Sequence, residues 1–241
     1  MKYQAIVVAG GKGLRMGGSI PKQFMPVGGV PVLMRTLESL YGSLQKLQHS
    51  SEKVPQLLAE SDGAVLILVL PADQQDYWQS LCAQHDFRVP YRLAEGGATR
   101  FHSVRNGLAL ADAEGLIGVH DGVRPFVSPS VVEAAYRAAA EYGAAVPVLP
   151  VVDSLRRLRP DGSSVPVDRS PMRLVQTPQV FRADWLRAAY EQPYREEFTD
   201  DASVVEAAGH TVALVGGNRE NIKITTPWDL QVAEMLCRGD V

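Results

Sequence analysis

The segment Ala5-Ile6-Val7-Val8-Ala9 runs directly into Gly10-Gly11-Lys12-Gly13-Leu14-Arg15-Met16, and Pro21-Lys22 follows shortly after it. An apolar run of this kind predicts a buried strand that ends in a glycine-rich turn. Glycines allow backbone N–H groups to face an anion without an obstructing side chain. Arg15 and Lys22 would supply positive charge at two distances from the turn. The stretch therefore predicts a phosphate-binding site, in preference to an ordinary βα turn with surface charges.

The spacing of these glycines excludes the two commonest phosphate-binding loops. A P-loop requires G-x-x-x-x-G-K-[ST], which does not occur in this chain. The dinucleotide fingerprint G-x-G-x-x-G fails because Met16 stands where its third glycine belongs. The remaining pattern, A-G-G-x-G-x-R-M followed by P-K, resembles the nucleotide-binding loop of sugar-phosphate nucleotidyltransferases.

The composition is that of an ordinary globular protein. The chain has 241 residues, of which 46% are hydrophobic and 21% charged, and its formal net charge is −3. This charge argues against broad binding to nucleic acid or to a membrane surface, and no apolar stretch is long enough to span a bilayer. Cys82 and Cys237 lie far apart and predict thiols in a reducing compartment. We therefore expect a cytoplasmic protein.

Alternating apolar strands and helices predict the fold class. Nearly continuous apolar runs, typical of strands covered on both faces, occur at 3–9, 64–70, 116–120, 144–149 and 211–215. Helical patterns occur at 31–48, 72–86, 99–111, 131–142 and 201–208, and from Thr226-Pro227 to about Cys237. Ser128-Pro129 predicts the start of the helix at 131–142, and Gly143 predicts its end. We expect an α/β fold with a mainly parallel, Rossmann-like sheet and helices on both faces.

One segment departs from this alternation. Val151–Arg159 and Val165–Arg169 read as two strands around the turn Pro160-Asp161-Gly162-Ser163-Ser164. We expect a single domain over residues 1–241, in which residues 151–176 form a projecting hairpin arm that could pair with a second subunit. Residues 45–63 are polar and irregular, which predicts an extended helix end followed by a surface loop, and no chemistry is predicted there.

Two further motifs are predicted to lie at the carboxyl ends of strands, where ligands of parallel sheets gather. Gly96-Gly97-Ala98-Thr99-Arg100 opens a helix after a short strand at 89–93, which favours an anion or a closely approached base, although Thr99 as an ordinary cap explains it equally well. His120-Asp121-Gly122 follows a buried strand, where a single carboxylate is a common ligand of Mg²⁺ beside a nucleotide. His120 itself is more typical of a structural residue than of a catalytic one.

Three candidates come from the second half of the chain. Lys223, flanked by Ile222 and Ile224 in a predicted short strand, favours an anionic partner over solvent. Arg169 lies at the far end of the arm, where a solvated charge is the usual alternative. Thr199 or Asp200 could cap the helix at 201–208.

Taken together, these motifs resemble the 2-C-methyl-D-erythritol 4-phosphate cytidylyltransferase family. The matching patterns are A-G-G-x-G-x-R-M…P-K, G-G-x-x-R-x-x-S-V, H-D-x-x-R-P, D-R…Q-T-P-Q, T-D-D-A-S and N-I-K-I-T-T-P, in this order between residues 9 and 227. The resemblance implies transfer of CMP from CTP to methylerythritol phosphate, with Mg²⁺, by a homodimer. The related ribitol 5-phosphate cytidylyltransferases share several motifs but generally differ at D-R and T-D-[DE]-A-S. A catalytically silent CTP-binding module is a further alternative.

The resemblance also implies roles for individual residues. Arg15, Lys22, Lys223 and Asp121 would carry the catalytic charges, with Asp121 beside the metal. CTP would be bound by Ala9, Gly10, Gly11, Gly13, Gly97, Ala98, Arg100, Ser103 and Gly122. The acceptor would be bound by Arg124, Ser154, Arg169, Thr177 and Thr199, with Ser154 and Arg169 reaching into the partner's site.

Two departures from the family pattern concern this site. Gly122-Val123 stands where alanines are usual, and Ser154 stands where threonine is common. Both changes preserve the small size or the hydroxyl group.

Overall fold

The computed structural model describes residues 1–10, 20–50 and 64–239. Gly11, Gly13 and Arg15 lie outside the described residues, as does the part of the predicted irregular segment from 51 to 63. Residues 45–50 are the end of a helix, which agrees with the extended helix end expected there.

An eight-stranded sheet forms the centre of the described structure. Its strands are β1 (Tyr3–Val8), β4 (Val65–Leu70), β5 (Arg92–Glu95), β6 (Leu116–Asp121), β7 (Ala144–Pro150), β10 (Arg173–Val175), β11 (Gln179–Arg182) and β12 (Ala213–Gly216). The order is β10-β7-β11-β6-β1-β4-β5, and β12 also pairs with β7. The pairs of β1 with β4 and β6, β4 with β5, and β7 with β12 are parallel. β10 and β11 are antiparallel to their neighbours. The mainly parallel α/β prediction is confirmed.

Helices cover both faces of this sheet. They are α1 (Val32–Ser50), α2 (Ala72–Gln84), α3 (Arg100–Leu108), α4 (Pro129–Tyr142), α5 (Ala183–Tyr190), α6 (Asp201–Ala207) and α7 (Pro227–Arg238). Successive residues of β1 enter different cores: Val7 belongs to the apolar cluster that includes α1 and α4 residues, and Ile6 to the one that includes α3 and α5 residues. This alternation explains why the buried strands are apolar along their whole length.

The predicted helix ends follow from their capping residues. The Ser128 side chain accepts a hydrogen bond from the Val131 N–H, Pro129 is the first helical residue, and Gly143 ends α4 in the left-handed region at φ 90°. Thr226 caps α7 in a capping box with Asp229. Asp200, rather than Thr199, caps α6.

The predicted arm is a separate two-stranded antiparallel sheet of β8 (Leu155–Leu158) and β9 (Ser164–Val167). Its far boundary differs from the prediction, because β10 at Arg173–Val175 pairs with β7 in the central sheet. The excursion from that sheet therefore ends before residue 173. A second small hairpin, β2 (Pro26–Val27) with β3 (Val30–Pro31), follows a 3-10 turn at Lys22–Phe24.

Two other predictions about strands are wrong. The strand before the second glycine-rich turn is Arg92–Glu95 and not 89–93. Lys223 does not lie in a strand: its segment pairs with none of the described strands, and the Ile224 N–H donates one hydrogen bond, 3.0 Å long, to the Val123 carbonyl. Among the described helices, none has the length and apolar character needed to cross a membrane.

Candidate active site

A pocket opens at the carboxyl ends of β1 and β6. Its lining comes from the end of β1, the 3-10 turn, the second glycine-rich turn, the residues after β6 and the segment before α7. The predicted site residues that line it are Ala9, Gly10, Lys22, Gly97, Ala98, Arg100, Ser103, Asp121 and Lys223. Distant stretches of sequence thus converge on one cavity, because parallel strands present their following loops at the same edge.

Other predicted site residues lie elsewhere. Gly122, Arg124 and Thr177 are behind the pocket wall, in contact with Asp121 or with the end of β1. Ser154, Arg169 and Thr199 are not among the lining residues. Ser154 and Arg169 are exposed on the arm, where the Arg169 guanidinium donates to the Val152 carbonyl. Their roles at a site remain predictions from the resemblance.

Asp121 is the electrostatic centre of the pocket. Its Oδ2 lies 3.0 Å from Arg124 Nε and 3.1 Å from Lys223 Nζ, and its Oδ1 lies 3.8 Å from Arg100 Nε. Burial opposes ionisation of this carboxyl, but Lys223, Arg100 and Arg124 outweigh it and hold the pKa of Asp121 well below its usual range. Asp121 is therefore a permanent carboxylate at neutral pH, and the anionic partner expected for Lys223 is present.

A chain of hydrogen bonds behind the pocket holds the backbone that carries this carboxylate. The Asp121 N–H donates to Thr177 Oγ1 at 3.1 Å, and that oxygen lies 3.0 Å from His120 Nδ1. His120 Nε2 lies 3.1 Å from the Arg124 carbonyl, which can only accept. Nε2 must therefore carry the imidazole proton, and Thr177 donates its hydroxyl proton to Nδ1.

The contacts of His120 agree with a structural role. The side chain is fully buried, and burial lowers its pKa to about 4, so the imidazole is neutral. Thr177 is 5% exposed and has both hydroxyl partners inside the protein. Its hydroxyl therefore orients Asp121, and a direct substrate contact remains a prediction.

The second glycine-rich turn is shaped by its own side chains. Ser103 Oγ accepts from the Gly97 N–H at 3.0 Å and donates to the Thr99 carbonyl at 3.0 Å, while the Thr99 side chain caps α3. A Cβ added at Gly97 would lie 2.4 Å from the Cβ of His102, so a larger residue does not fit. Thr99 therefore caps α3 and Ser103 fixes the turn at the pocket wall, while binding of an anion or a base by this turn stays a prediction.

Close packing explains Gly122. A Cβ at this position would lie 2.8 Å from the Cβ of Ala9 and 3.2 Å from the Val8 carbonyl oxygen. The Gly122 N–H donates to that carbonyl at 2.9 Å. The absence of a side chain thus brings the loop after β6 against the end of β1, where both line the site.

Lys22 is placed by the residues that follow it. Phe24 is 3% exposed and stacks on Trp78 with ring centroids 6.2 Å apart. Gln23 Nε2 donates to the Ala9 carbonyl at 2.9 Å and to Gln74 Oε1 at 2.5 Å. These buried contacts fix the 3-10 turn against β1 and hold Lys22 at the pocket wall.

Asp121 can accept a divalent cation. Oδ1 is beyond hydrogen-bonding distance of Arg100, so it keeps lone pairs directed at the pocket. The described residues contain no cluster of three or more His, Cys, Asp or Glu side chains suited to a metal. A single carboxylate completed by substrate phosphates and water suits Mg²⁺, whereas a metal needing an all-protein cage would not fit.

Sequence reasoning missed one buried acid at this site. Asp201 is fully buried, and its Oδ2 accepts from Arg100 Nη2 at 2.6 Å. Asp201 is the second aspartate of T-D-D-A-S, but the sequence suggested helix capping only for Thr199 or Asp200 and no physical role for Asp201. Arg100 lies 101 residues away along the chain, so local pattern could not reveal the pair.

Comparisons with known proteins give one family over almost the whole chain. A family model described as 2-C-methyl-D-erythritol 4-phosphate cytidylyltransferase matches residues 3–239. The protein of that name from Phocaeicola vulgatus is 54% identical over 236 residues, which cover 98% of this chain and 100% of that protein. Its namesake from Bacteroides fragilis is 53% identical over 232 residues, covering 96% of this chain and 98% of that protein.

Solved structures agree with these sequence relatives. The crystal structure of 2-C-methyl-D-erythritol 4-phosphate cytidylyltransferase from Thermus thermophilus matches with a TM-score of 0.74 at 34% identity, covering 99% of this chain and 100% of that one. The 4-diphosphocytidyl-2C-methyl-D-erythritolsynthase structure from Anaerococcus prevotii matches with a TM-score of 0.76 at 26% identity, covering 98% and 99%.

Proposed function

The chain belongs to the 2-C-methyl-D-erythritol 4-phosphate cytidylyltransferase family, and we propose that its pocket transfers CMP from CTP to 2-C-methyl-D-erythritol 4-phosphate. The products are 4-diphosphocytidyl-2-C-methyl-D-erythritol and pyrophosphate, a step in isoprenoid precursor synthesis. The observation that carries this proposal is the convergence of Lys22, Arg100, Lys223 and the buried carboxylate of Asp121 on one pocket.

The chemistry requires two polyanions to meet. A phosphate oxygen of the acceptor attacks the α-phosphorus of CTP in line, and the bond from that phosphorus to the bridging oxygen of the pyrophosphate group breaks. A phosphate monoester loses its second proton with a pKa of about 6, so the nucleophile needs no general base at neutral pH. The protein therefore contributes positioning and charge neutralisation.

The cations of the pocket divide into two groups. Lys22, on the wall formed by the 3-10 turn, would stabilise the triphosphate and the leaving pyrophosphate, together with Arg15 from outside the described residues. Lys223 Nζ, 3.1 Å from Asp121, would hold the incoming phosphate near the α-phosphorus. The Asp121 carboxylate holds the Lys223 ammonium in place until the acceptor arrives.

We propose Mg²⁺ as the metal of this reaction. Asp121 would hold it through Oδ1, with the triphosphate completing its coordination. When bound, Mg²⁺ supplies charge neutralisation at the phosphates.

The acceptor is tested by one comparison. Purified protein is supplied with CTP and either methylerythritol phosphate or ribitol 5-phosphate, and pyrophosphate release is measured. We expect release with methylerythritol phosphate. Preference for ribitol 5-phosphate would contradict the acceptor assignment, and no release with either would favour a silent CTP-binding module.

We also propose that the protein works as a homodimer joined through the arm. Ser154 and Arg169 are outside the lining of the pocket in their own chain, so they would act at the site of a second copy. Exposed apolar side chains on and beside the arm support an interface there: Val152, Leu158, Leu174, Val175 and Leu214. Sedimentation of the purified protein measures this directly, and a monomer at assay concentration would contradict it.

A cytoplasmic location is part of the same proposal. Cys82 and Cys237 are both free thiols, which suits a reducing compartment. Fractionation of cells that express the protein at native level would test the location.

A further inference from the structure

Asp201 is a buried charge that the proposed reaction does not use. It is the first residue of α6 and is fully buried. Both of its carboxylate oxygens have a short hydrogen bond: Oδ1 accepts from the Tyr190 hydroxyl at 2.6 Å, and Oδ2 accepts from Arg100 Nη2 at 2.6 Å. A buried carboxylate is costly unless it is fully paired, so this arrangement needs both partners.

Capping of α6 does not account for this aspartate. The cap is the preceding residue: Asp200 Oδ1 accepts from the Ser203 N–H at 2.9 Å, and Asp200 Oδ2 accepts from Gln179 Nε2 at 2.8 Å. Gln179 Oε1 also accepts from the Ala202 N–H at 2.8 Å. The start of the helix is therefore satisfied without the Asp201 side chain, which is directed to α3 instead.

Arg100 connects Asp201 to the pocket. Its side chain is 29% exposed and lines the cavity, with Nη2 on Asp201 and Nε 3.8 Å from Asp121 Oδ1. A guanidinium is planar, and its N–H groups have a fixed arrangement. The hydrogen bond from Nη2 to Asp201 therefore sets the direction of the N–H groups that remain for a ligand, and the nearby Asp121 carboxylate attracts the same guanidinium.

Tyr190 supports Asp201 from the opposite side. Its ring is 1% exposed and stacks on Phe101, the residue after Arg100, with centroids 4.6 Å apart. Burial and the adjacent Asp201 raise the pKa of Tyr190 well above its ordinary value, so the phenol remains a proton donor. The carboxylate is thus held between a fixed donor and the guanidinium.

We propose that Asp201 and Tyr190 are positioning residues for nucleotide binding, which hold Arg100 in the orientation that contacts CTP. Neither side chain touches the ligand, and both act through Arg100. The inference rests on the proposed function, because it requires that CTP occupy this pocket.

Binding of CTP alone, measured by titration calorimetry of the full chain, tests the inference. Asp201→Asn keeps the size of the side chain and removes its charge, and we expect CTP to bind about tenfold more weakly, as is typical for loss of a partner that orients a binding group. Tyr190→Phe removes one hydroxyl, and we expect a smaller loss of affinity in the same direction.

A double variant separates positioning from a general structural effect. Arg100→Gln should weaken CTP binding by itself, and adding Asp201→Asn to it should cause no further loss, because the partner through which Asp201 acts is gone. Ser128→Ala is the control for stability: it removes the α4 cap, which is not among the residues lining the pocket, so it should lower the melting temperature and leave CTP binding unchanged.

The possible outcomes are distinct. Unchanged CTP binding in Asp201→Asn and in Tyr190→Phe would overturn the inference and leave the proposed function intact. If the double variant loses CTP affinity by the product of the two single losses, the inference is also overturned. If Asp201→Asn does not fold, Tyr190→Phe with and without Arg100→Gln decides the question in the same way. Failure of the unsubstituted protein to bind CTP would overturn both proposals together.

Discussion

Lys223 offers the sharpest test of the site at the level of a single residue. Its ammonium is held by Asp121 and its side chain is 43% exposed, so an incoming phosphate can reach it. We expect Lys223→Ala to lower kcat/KM by about 10²-fold, as for loss of one transition-state donor, without loss of folding. Steady-state pyrophosphate release with CTP and methylerythritol phosphate measures the effect.

Lys2 provides a matched control for this substitution. It is 44% exposed and pairs with Asp112 at 3.2 Å, outside the pocket lining. Lys2→Ala should leave kcat/KM unchanged. A Lys223→Ala variant with the same kcat/KM as Lys2→Ala would remove Lys223 from its proposed role.

The Thr177 hydroxyl gives a second prediction at this scale. Thr177→Val keeps the shape but leaves the Asp121 N–H and His120 Nδ1 without their partner. We expect kcat/KM to fall about tenfold, in line with the cost of unsatisfied buried groups, and Thr177→Ser to restore most of it. Nitrogen NMR of His120 provides an independent measure, because loss of the hydroxyl donor should change the Nδ1 signal. Equal losses in the Val and Ser variants would argue against the hydroxyl as the cause.

Single residues differed in how well their sequence context predicted their roles. The position of Asp121 after a buried strand was sufficient to predict a pocket carboxylate, since the strand and its end were both local features. The Arg100–Asp201 pair and the Thr177–His120 contact join residues 101 and 57 positions apart. Contacts of that separation depend on how the elements pack, which composition and spacing do not encode.

At the scale of elements, the second glycine-rich turn makes a prediction about backbone shape. A Cβ at Gly97 would collide with His102, the third residue of α3. We expect Gly97→Ala to displace the turn and to raise the KM for CTP, with a much smaller effect on the melting temperature. Initial rates at varied CTP concentration provide the measurement.

Gly42 provides the matched glycine control. It lies within α1, where an added Cβ would meet nothing within 4 Å. Gly42→Ala should leave the KM for CTP unchanged and stabilise the protein by about 0.5–1 kcal/mol, the usual difference between these residues in a helix. An equal effect of the two substitutions on KM would refute the steric argument.

The elements themselves were predictable where a local rule decides them. Apolar runs were sufficient to predict the buried strands β1, β4, β6 and β7. Ser128, Pro129 and Gly143 were sufficient to predict both ends of α4. β10 and β11 were not predicted, because each is short and is defined by antiparallel pairing with β7 or β6 rather than by its own pattern. The apolar isoleucines on both sides of Lys223 predict a strand there. Ile224 is buried there without a ladder of hydrogen bonds.

At the scale of the whole molecule, the proposed dimer makes a prediction about how site residues are shared between subunits. Lys223 and Arg169 belong to one chain, but only Lys223 lines its pocket, and Arg169 is on the projecting arm. If the arm serves the partner's pocket, each site in a dimer combines Lys223 of one subunit with Arg169 of the other. Activity of a site built from two chains can be restored by mixing two variants, which is impossible for a site built within one chain.

Mixing two inactive variants should restore activity if the arm acts across the dimer. In a mixed dimer of Arg169→Ala and Lys223→Ala subunits, one site contains both substitutions and the other contains neither. Random exchange of equal amounts should therefore recover about a quarter of the unsubstituted activity, since half of the dimers are mixed and each has one intact site. Pyrophosphate release before and after joint unfolding and refolding of the two proteins measures the recovery. Each variant refolded alone is the control and should stay inactive. Absence of recovery between variants that demonstrably exchange subunits would place Arg169 at its own chain's site or at none.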